Sequence, residues 1–452
     1  MNSENKMGVM PVGRLIISIS LPMMISMIVQ ALYNVVDSIF VSWYDPAALT
    51  AVSLTFPYQN LMIAFATGTG VGINALLSRN LGEKKIDAAN RVAMHGIVLS
   101  LITGAVFAVA GVSVADLFFK AQGATGKVLE YGREYMWICS GFGLALFGQI
   151  VFERLLQSTG KTFYSMITQG AGAIINIILD PIFIFGFGGI PAMGAAGAAI
   201  ATVVGQLVAM VLGLIFNIKK NKEITLRFKG FRFEKTIVKR IYLVGIPSIM
   251  VASIGSVMTF GMNKIFSAFR GIGNDAINVF GVYFKLQSFA FMPLFGLNNS
   301  MIPIIAYNFG ARKRDRIVST IKYSVMYAEI IMISFMVIML LFPLQLLGMF
   351  NASPEMLKIG TVALRTISIS YAAAAFCIIS TSVFQAVGHA FLSMIVSLVR
   401  QLCVLLPIAY IIAKVTGDIN MVWLSFPIAE VFSLTLCIIF LRHVYKKEFK
   451  DL

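Results

Sequence analysis

Two aspartates, Asp37 and Asp180, stand alone inside long apolar runs, QALYNVVDSIFVSW and AGAIINIILDPIFIFG. An ionised aspartate at the centre of a membrane helix costs about 2.5–3.5 kcal/mol even on a lenient insertion scale, so it faces a partner, a cation or a water-filled cavity. A pair of them predicts a chain that handles cations or protons. Each belongs to a polar stripe. Gln30, Asn34 and Asp37 are spaced four and three residues apart, which places them on one helix face with Tyr33 beside them. Asn176 and Asp180 are four apart, and Gln169 falls on the same face two turns earlier. Pro181 follows Asp180 and removes the N–H that the Ile177 carbonyl would accept; Pro22, ahead of Asp37, is likewise placed to bend its helix. A freed carbonyl beside two carboxylates and Asn176 is an oxygen-rich set suited to a hard cation such as sodium. Two carboxylates in one cavity resist being ionised together, so protonation and cation binding should compete.

The elements that carry these residues follow from composition. The chain of 452 residues is 58% hydrophobic and 12% charged with a mean hydropathy of +0.86, where soluble domains carry about 25% charge. Twelve apolar runs of spanning length are separated by polar or Gly/Pro breaks, over residues 15–43, 48–77, 92–119, 128–156, 162–186, 195–217, 238–268, 276–307, 317–349, 354–386, 389–413 and 419–441. Residues 1–14 lack the core and cleavage site of a signal peptide, so the first run is expected to remain in the protein.

A net charge of +16 in a soluble chain would suggest nucleic acid, but its distribution here does not. Most of the 36 Lys and Arg residues fall in the termini and the even-numbered breaks, the asymmetry expected when both termini are cytoplasmic. The richest break, IKKNKEITLRFKGFRFEKTIVKR at residues 218–240, lies mid-chain and reads as a topology anchor and linker. Cys139, Cys377, Cys403 and Cys437 lie in apolar runs with no CxxC spacing, and His95, His389 and His443 are scattered, so no metal set beyond a sodium-like site is expected. GKT at residues 160–162 lacks the first glycine of a phosphate-binding loop, because Leu155 occupies that place. ATP hydrolysis is therefore not expected, nor is any cofactor, and an ion gradient is the expected energy source.

The basic break divides the chain into similar halves at an offset near 228 residues. RNLGEKKIDAANRV from Arg79 matches YNFGARKRDRIVST from Tyr307, pairing Gly82 with Gly310 and Asp87 with Asp315. LLQSTGKTFYSMI matches VFQAVGHAFLSMI, and SLPMMIS matches GIPSIMV, pairing Pro22 with Pro247. Six runs per half make the repeat parallel, a plan recurrent among secondary transporters. The expected fold is an all-α polytopic membrane protein of twelve helices in two six-helix lobes related by a parallel pseudo-twofold, with boundaries at 1–217, a linker at 218–237, and 238–452. The carboxylate pair belongs to the first half alone: its second-half counterparts are Met262 or Asn263 and an apolar residue. The second half has Lys264, Arg400 and Glu430 in apolar surroundings; Arg400 and Glu430 read either as an ion pair or as part of a substrate pathway. Glu153, Lys285 and Glu329 are placed near helix ends, where long side chains reach the interface.

SLPMMIS leading into YNVVDSIFV, then NIILDPIFIFG, the midpoint basic loop, GIPS and IPIIAYNFGA resemble the multidrug and toxic compound extrusion (MATE) family, in its prokaryotic DinF-like branch. The resemblance covers nearly the whole chain. It implies two lobes around a central cavity and export driven by inward proton or sodium movement. By position it assigns the family's first-lobe cation site to Asp37, Asn176, Asp180 and Thr202, with Gln30 lining the same cavity, and Pro22 to the proline where the first helix bends. The second-lobe acidic residues used by another branch of the family have no match here. The expectation is a monomeric antiporter of the bacterial cytoplasmic membrane that exports small amphipathic organic cations in exchange for protons or sodium, with Gln30, Tyr33, Asn34, Gln169, Arg400 and Glu430 lining its substrate cavity. The alternative is a flippase for a lipid-linked oligosaccharide or another lipid intermediate. An enzyme is disfavoured, since no nucleophile with a base is visible.

Overall fold

In the computed structural model, residues 5–269, 271–350, 352–450 and 452 are described, and among them there is no strand. Ten helices are long and apolar enough to cross a membrane, and two bent pairs bring the number to twelve when each pair is one span. In chain order they are α1 (Val12–Tyr44), α2 (Pro46–Gly82), α3 (Ile86–Ala121), α4 (Gly126–Gly141 with Gly143–Ser158), α5 (Thr162–Phe185) and α6 (Gly194–Lys219). The second set is α7 (Lys235–Ser267), α8 (Gly273–Gly310), α9 (Arg314–Leu341), α10 (Pro354–Ser368 with Tyr371–Ala386), α11 (Ala390–Thr416) and α12 (Ile419–Phe449). The bends in α4 and α10 are 46° and 49°, at equivalent places in the two halves. Backbone hydrogen bonding explains why only helices fill such a chain: in lipid each N–H and C=O must be satisfied within its own segment. Short polar breaks punctuate them; Asp45, for example, accepts from the Ala47 N–H at 2.8 Å and caps α2 directly ahead of Pro46.

The internal repeat has a physical counterpart at the ends of α2 and α8. A methyl group placed on Gly82 would overlap the carbonyl oxygen of Tyr307, and one placed on Gly310 would overlap that of Arg79. Each glycine thus meets the residue three positions before its own sequence counterpart, which is the reciprocity a twofold imposes. Apolar side chains gain little by leaving lipid for another helix, so close backbone approach at small residues is what joins spans.

Across the lobes, α1 packs on α8 and α2 on α7, and Ser300 of α8 donates to the Ile19 carbonyl of α1 at 3.3 Å. Residues 5–10 tie the lobes together at the end that bears the basic breaks. The Asn5 side-chain amide donates to the Thr159 carbonyl at 3.1 Å, while Asn308 and Arg316 donate to the Met7 carbonyl, both at 3.0 Å. Both α1 and α5 run unbroken through their prolines, Pro22 and Pro181.

Candidate functional site

Helix α1 also packs against α5, and α5 against α6. The α5–α6 crossing is close because Gly172 and Gly205 face each other: a Cβ on either would stand 2.8 or 2.6 Å from the other's carbonyl oxygen. That approach sets Asn176, one turn beyond Gly172, beside Thr202, one turn from Gly205 on the antiparallel neighbour. The Asn176 amide donates to Asp180 Oδ1 at 3.3 Å and to Thr202 Oγ1 at 3.4 Å. Asp180 is fully buried, Asn176 is 2% exposed and Asp37 is 8% exposed. Three oxygens of this group, Asp37 Oδ1, Asn176 Oδ1 and Asp180 Oδ2, are sealed from solvent with no donor. Unmet acceptors at such depth are costly unless a proton or a cation satisfies them.

The group adjoins a cavity of about 590 Å³. Gln30, Tyr33, Asn34 and Asp37 line it from α1, Gln169 and Asn176 from α5, and Thr202 from α6, so the two stripes predicted from spacing converge on one space. All of its lining residues come from the first six spans. They run from Ser26 to Ser38 along α1 and from Leu49 to Thr67 along α2, the halves of these helices remote from the basic breaks, and along the second half of α4 from Leu146 to Gln157, one residue from the end of that helix. Arg400 and Glu430 lie elsewhere, on a separate pocket of about 80 Å³ in the second lobe. There Arg400 Nη1 donates to Glu430 Oε1 at 3.0 Å, from a π-helical stretch, Val399–Leu405, inserted into α11. Truncating one partner, as in Glu430→Ala, is expected to cost about 3–5 kcal/mol of stability by leaving a buried charge alone, whereas Arg400→Met with Glu430→Leu should cost far less. Thermal unfolding of the purified variants checks this; equal losses in single and double variants would refute it.

Glu153 departs from its expected place at a helix end. It is 3% exposed, lines the cavity, and accepts from Gln149 at 3.0 Å, Gln169 at 2.6 Å and Thr168 at 3.5 Å. The sequence did contain a signal: Gln149, Glu153 and Gln157 recur every four residues, the spacing that singled out the Asp37 stripe. Lys285 and Lys264 are exposed and Glu329 is half-buried; Glu329 lies midway along α9 rather than near its end.

The sequence model of the MatE family matches two stretches, residues 22–182 and 247–411, which begin at the paired prolines Pro22 and Pro247. The chain belongs to the MatE family. MatE proteins are membrane transporters rather than enzymes, and the all-helical, two-lobed architecture of this chain is theirs. Among individual relatives, the chain is 28% identical over 415 residues to the multidrug export protein MepA of Staphylococcus haemolyticus (strain JCSC1435), covering 91% of this chain and 89% of that one. It superimposes on the crystal structure of a MATE transporter in complex with MaD3S with a TM-score of 0.93, at 26% identity and 100% coverage of both chains. A MOP superfamily transporter from Pyrococcus furiosus Vc1 (DSM3638), whose binding pocket is described as reversed in polarity and suggestive of a different function, matches with a TM-score of 0.91 at 26% identity, covering 98% of each chain.

Proposed function

We propose that this MatE transporter is a multidrug exporter of the bacterial cytoplasmic membrane that moves amphipathic organic cations outward in exchange for protons or sodium. The observation that carries the reading is the set of sealed, unpartnered oxygens on Asp37, Asn176 and Asp180 beside a cavity large enough for an organic molecule. A proton or a sodium ion entering this group satisfies oxygens that the protein leaves unmet, with Thr202 holding the Asn176 amide in place. Asp37 lines the cavity as well, so its carboxylate serves the ion and the organic cation in turn. Competition for one charge makes each cargo expel the other, which is exchange. Because the coupling acts through differential affinity, the ion need only favour the lobe arrangement that the organic cation disfavours. The Lys and Arg content of both termini and of the linker at 218–237 supports a cytoplasmic side for all three. A single chain contains the whole cavity, which supports a monomer as the working unit.

The test uses protein reconstituted in lipid vesicles with a fluorescent organic cation, first under an imposed proton gradient and then under a sodium gradient. Dye movement against its own gradient under one of the two is the expected result, and it names the ion. Folded protein that moves no dye under either gradient would overturn the antiport reading and favour the flippase, assayed with a lipid-linked oligosaccharide.

A further inference from the structure

Two arginines stand deep among the spans, and they are treated differently. Arg400 faces Glu430. Arg154, in α4, is 7% exposed and lines the first-lobe cavity, yet it forms no ion pair among the described residues. Its neighbour Glu153 turns instead to Gln149, Gln169 and Thr168. Arg154 Nη1 donates to two neutral oxygens, Gln157 Oε1 at 2.9 Å and Asn299 Oδ1 at 3.2 Å. Nε and Nη2 have no acceptor among the described residues, and neither is sealed from the cavity. Gly70 of α2 leaves room for this side chain, since a methyl there would stand 2.7 Å from Arg154 Cγ and 3.2 Å from Nε. A buried guanidinium with open N–H groups lacks a planar anion, and a carboxylate matches its fork in two parallel hydrogen bonds.

We propose that Arg154 forms an anion-binding subsite of this cavity, which takes the carboxylate of an amphoteric substrate while Asp37 and Glu153 favour that substrate's cationic end. A purely anionic compound does not suit the space, because two carboxylates line it as well. The assignment rests on the cavity being the export site. The competing role for Arg154 is a strut, since Asn299 belongs to α8 of the second lobe.

The experiment compares two rhodamine dyes that share a cationic ring system and differ in a single group, a free benzoate in one and its methyl ester in the other. Each is titrated by fluorescence anisotropy against purified protein. Arg154→Gln is expected to weaken the free acid at least about tenfold, the scale of a charge-assisted hydrogen bond, while the ester shifts less than about twofold. Arg154→Lys should keep part of the preference, and Asn299→Ala should leave the acid-to-ester ratio as it is. Should Arg154→Gln fail to fold, Gly70→Ala carries the test by displacing the guanidinium, with the same selective loss expected. Equal shifts for both dyes, or a ratio that collapses in Asn299→Ala, would overturn the subsite in favour of the strut. Ester binding without acid binding in the wild type overturns the subsite alone, and binding of neither dye overturns the cavity reading with it.

Discussion

Asp37→Asn should fold normally, bind an organic cation more weakly with Glu153 left as the cavity's other carboxylate, and lose all gradient-driven export, falling to the level of empty vesicles. The substitution keeps shape and volume, so α1 retains its packing against α5 and α8. What it removes is a titratable oxygen: Asp37 Oδ1 is sealed without a donor, and an amide at that position neither exchanges a proton nor contributes charge to a cation. Asp180→Asn should act the same way, because Asp180 Oδ2 is equally unmet and Asn176 supplies only one hydrogen bond to its other oxygen. Asn176→Ala removes a neutral ligand and orienter and should reduce ion affinity about 10–100-fold, as losses of supporting ligands do, without abolishing exchange at high ion concentration. Asp45 is the control. It is also an aspartate of the first lobe, but it caps α2 near the surface and lies 3.6 Å from Lys127, so Asp45→Asn should transport as the wild type does. Flux measured under each gradient separates these outcomes, and coupled export by Asp37→Asn would end the exchange mechanism.

The convergence of Asp37, Asn176 and Gln169 on one space was legible because helical spacing alone fixes a shared face, and because lone carboxylates in apolar runs have few places to go. Thr202 carried no such signal of its own; an isolated threonine in a run of small residues is recognisable only by the family resemblance, and its role depends on the Gly172–Gly205 crossing that brings α6 to α5. Glu153 was misplaced for a different reason. Hydropathy treats residues 128–156 as one straight run with Glu153 three residues from its end, whereas α4 bends at Phe142 and its second half, Gly143–Ser158, carries Glu153 and Arg154 inward between α5, α6 and α8. The pairing of Arg400 with Glu430 was open to sequence reasoning, but its assignment to a separate second-lobe pocket was not, since residues thirty positions apart meet through the packing of α11 on α12. A π-helical stretch such as Val399–Leu405 adds no residue type that hydropathy can see.

The contact between Gly82 and Gly310 yields the other large expected effect. These glycines lie at the ends of α2 and α8 nearest the basic breaks, and they let two backbones of opposite lobes touch where any side chain would collide with a carbonyl oxygen. The part of the cavity lined by α1 and α2 lies in their opposite halves, and this contact closes the protein on the face where Lys84, Lys85, Arg312 and Lys313 lie. Gly82→Val is therefore expected to part the lobes at that face. Overpacking of a fitted contact costs about 1–3 kcal/mol, and each 1.4 kcal/mol changes the ratio of closed to open arrangements about tenfold. Ser53 is exposed and lines the cavity, so a cysteine placed there reports the result. With the exposed Cys403 replaced by serine, an impermeant maleimide should label Ser53→Cys from the face opposite the basic breaks, and should label it from the basic face when Gly82→Val is added. Gly281→Ala, where a methyl meets nothing within 4 Å, should keep the wild-type sidedness. Because the contact is reciprocal, Gly310→Val should reproduce the effect of Gly82→Val from the other lobe. A change in one variant without the other would show that the two ends do not close as a symmetric pair, and the lobes would then have to part by some movement other than rotation about the axis that the repeat defines.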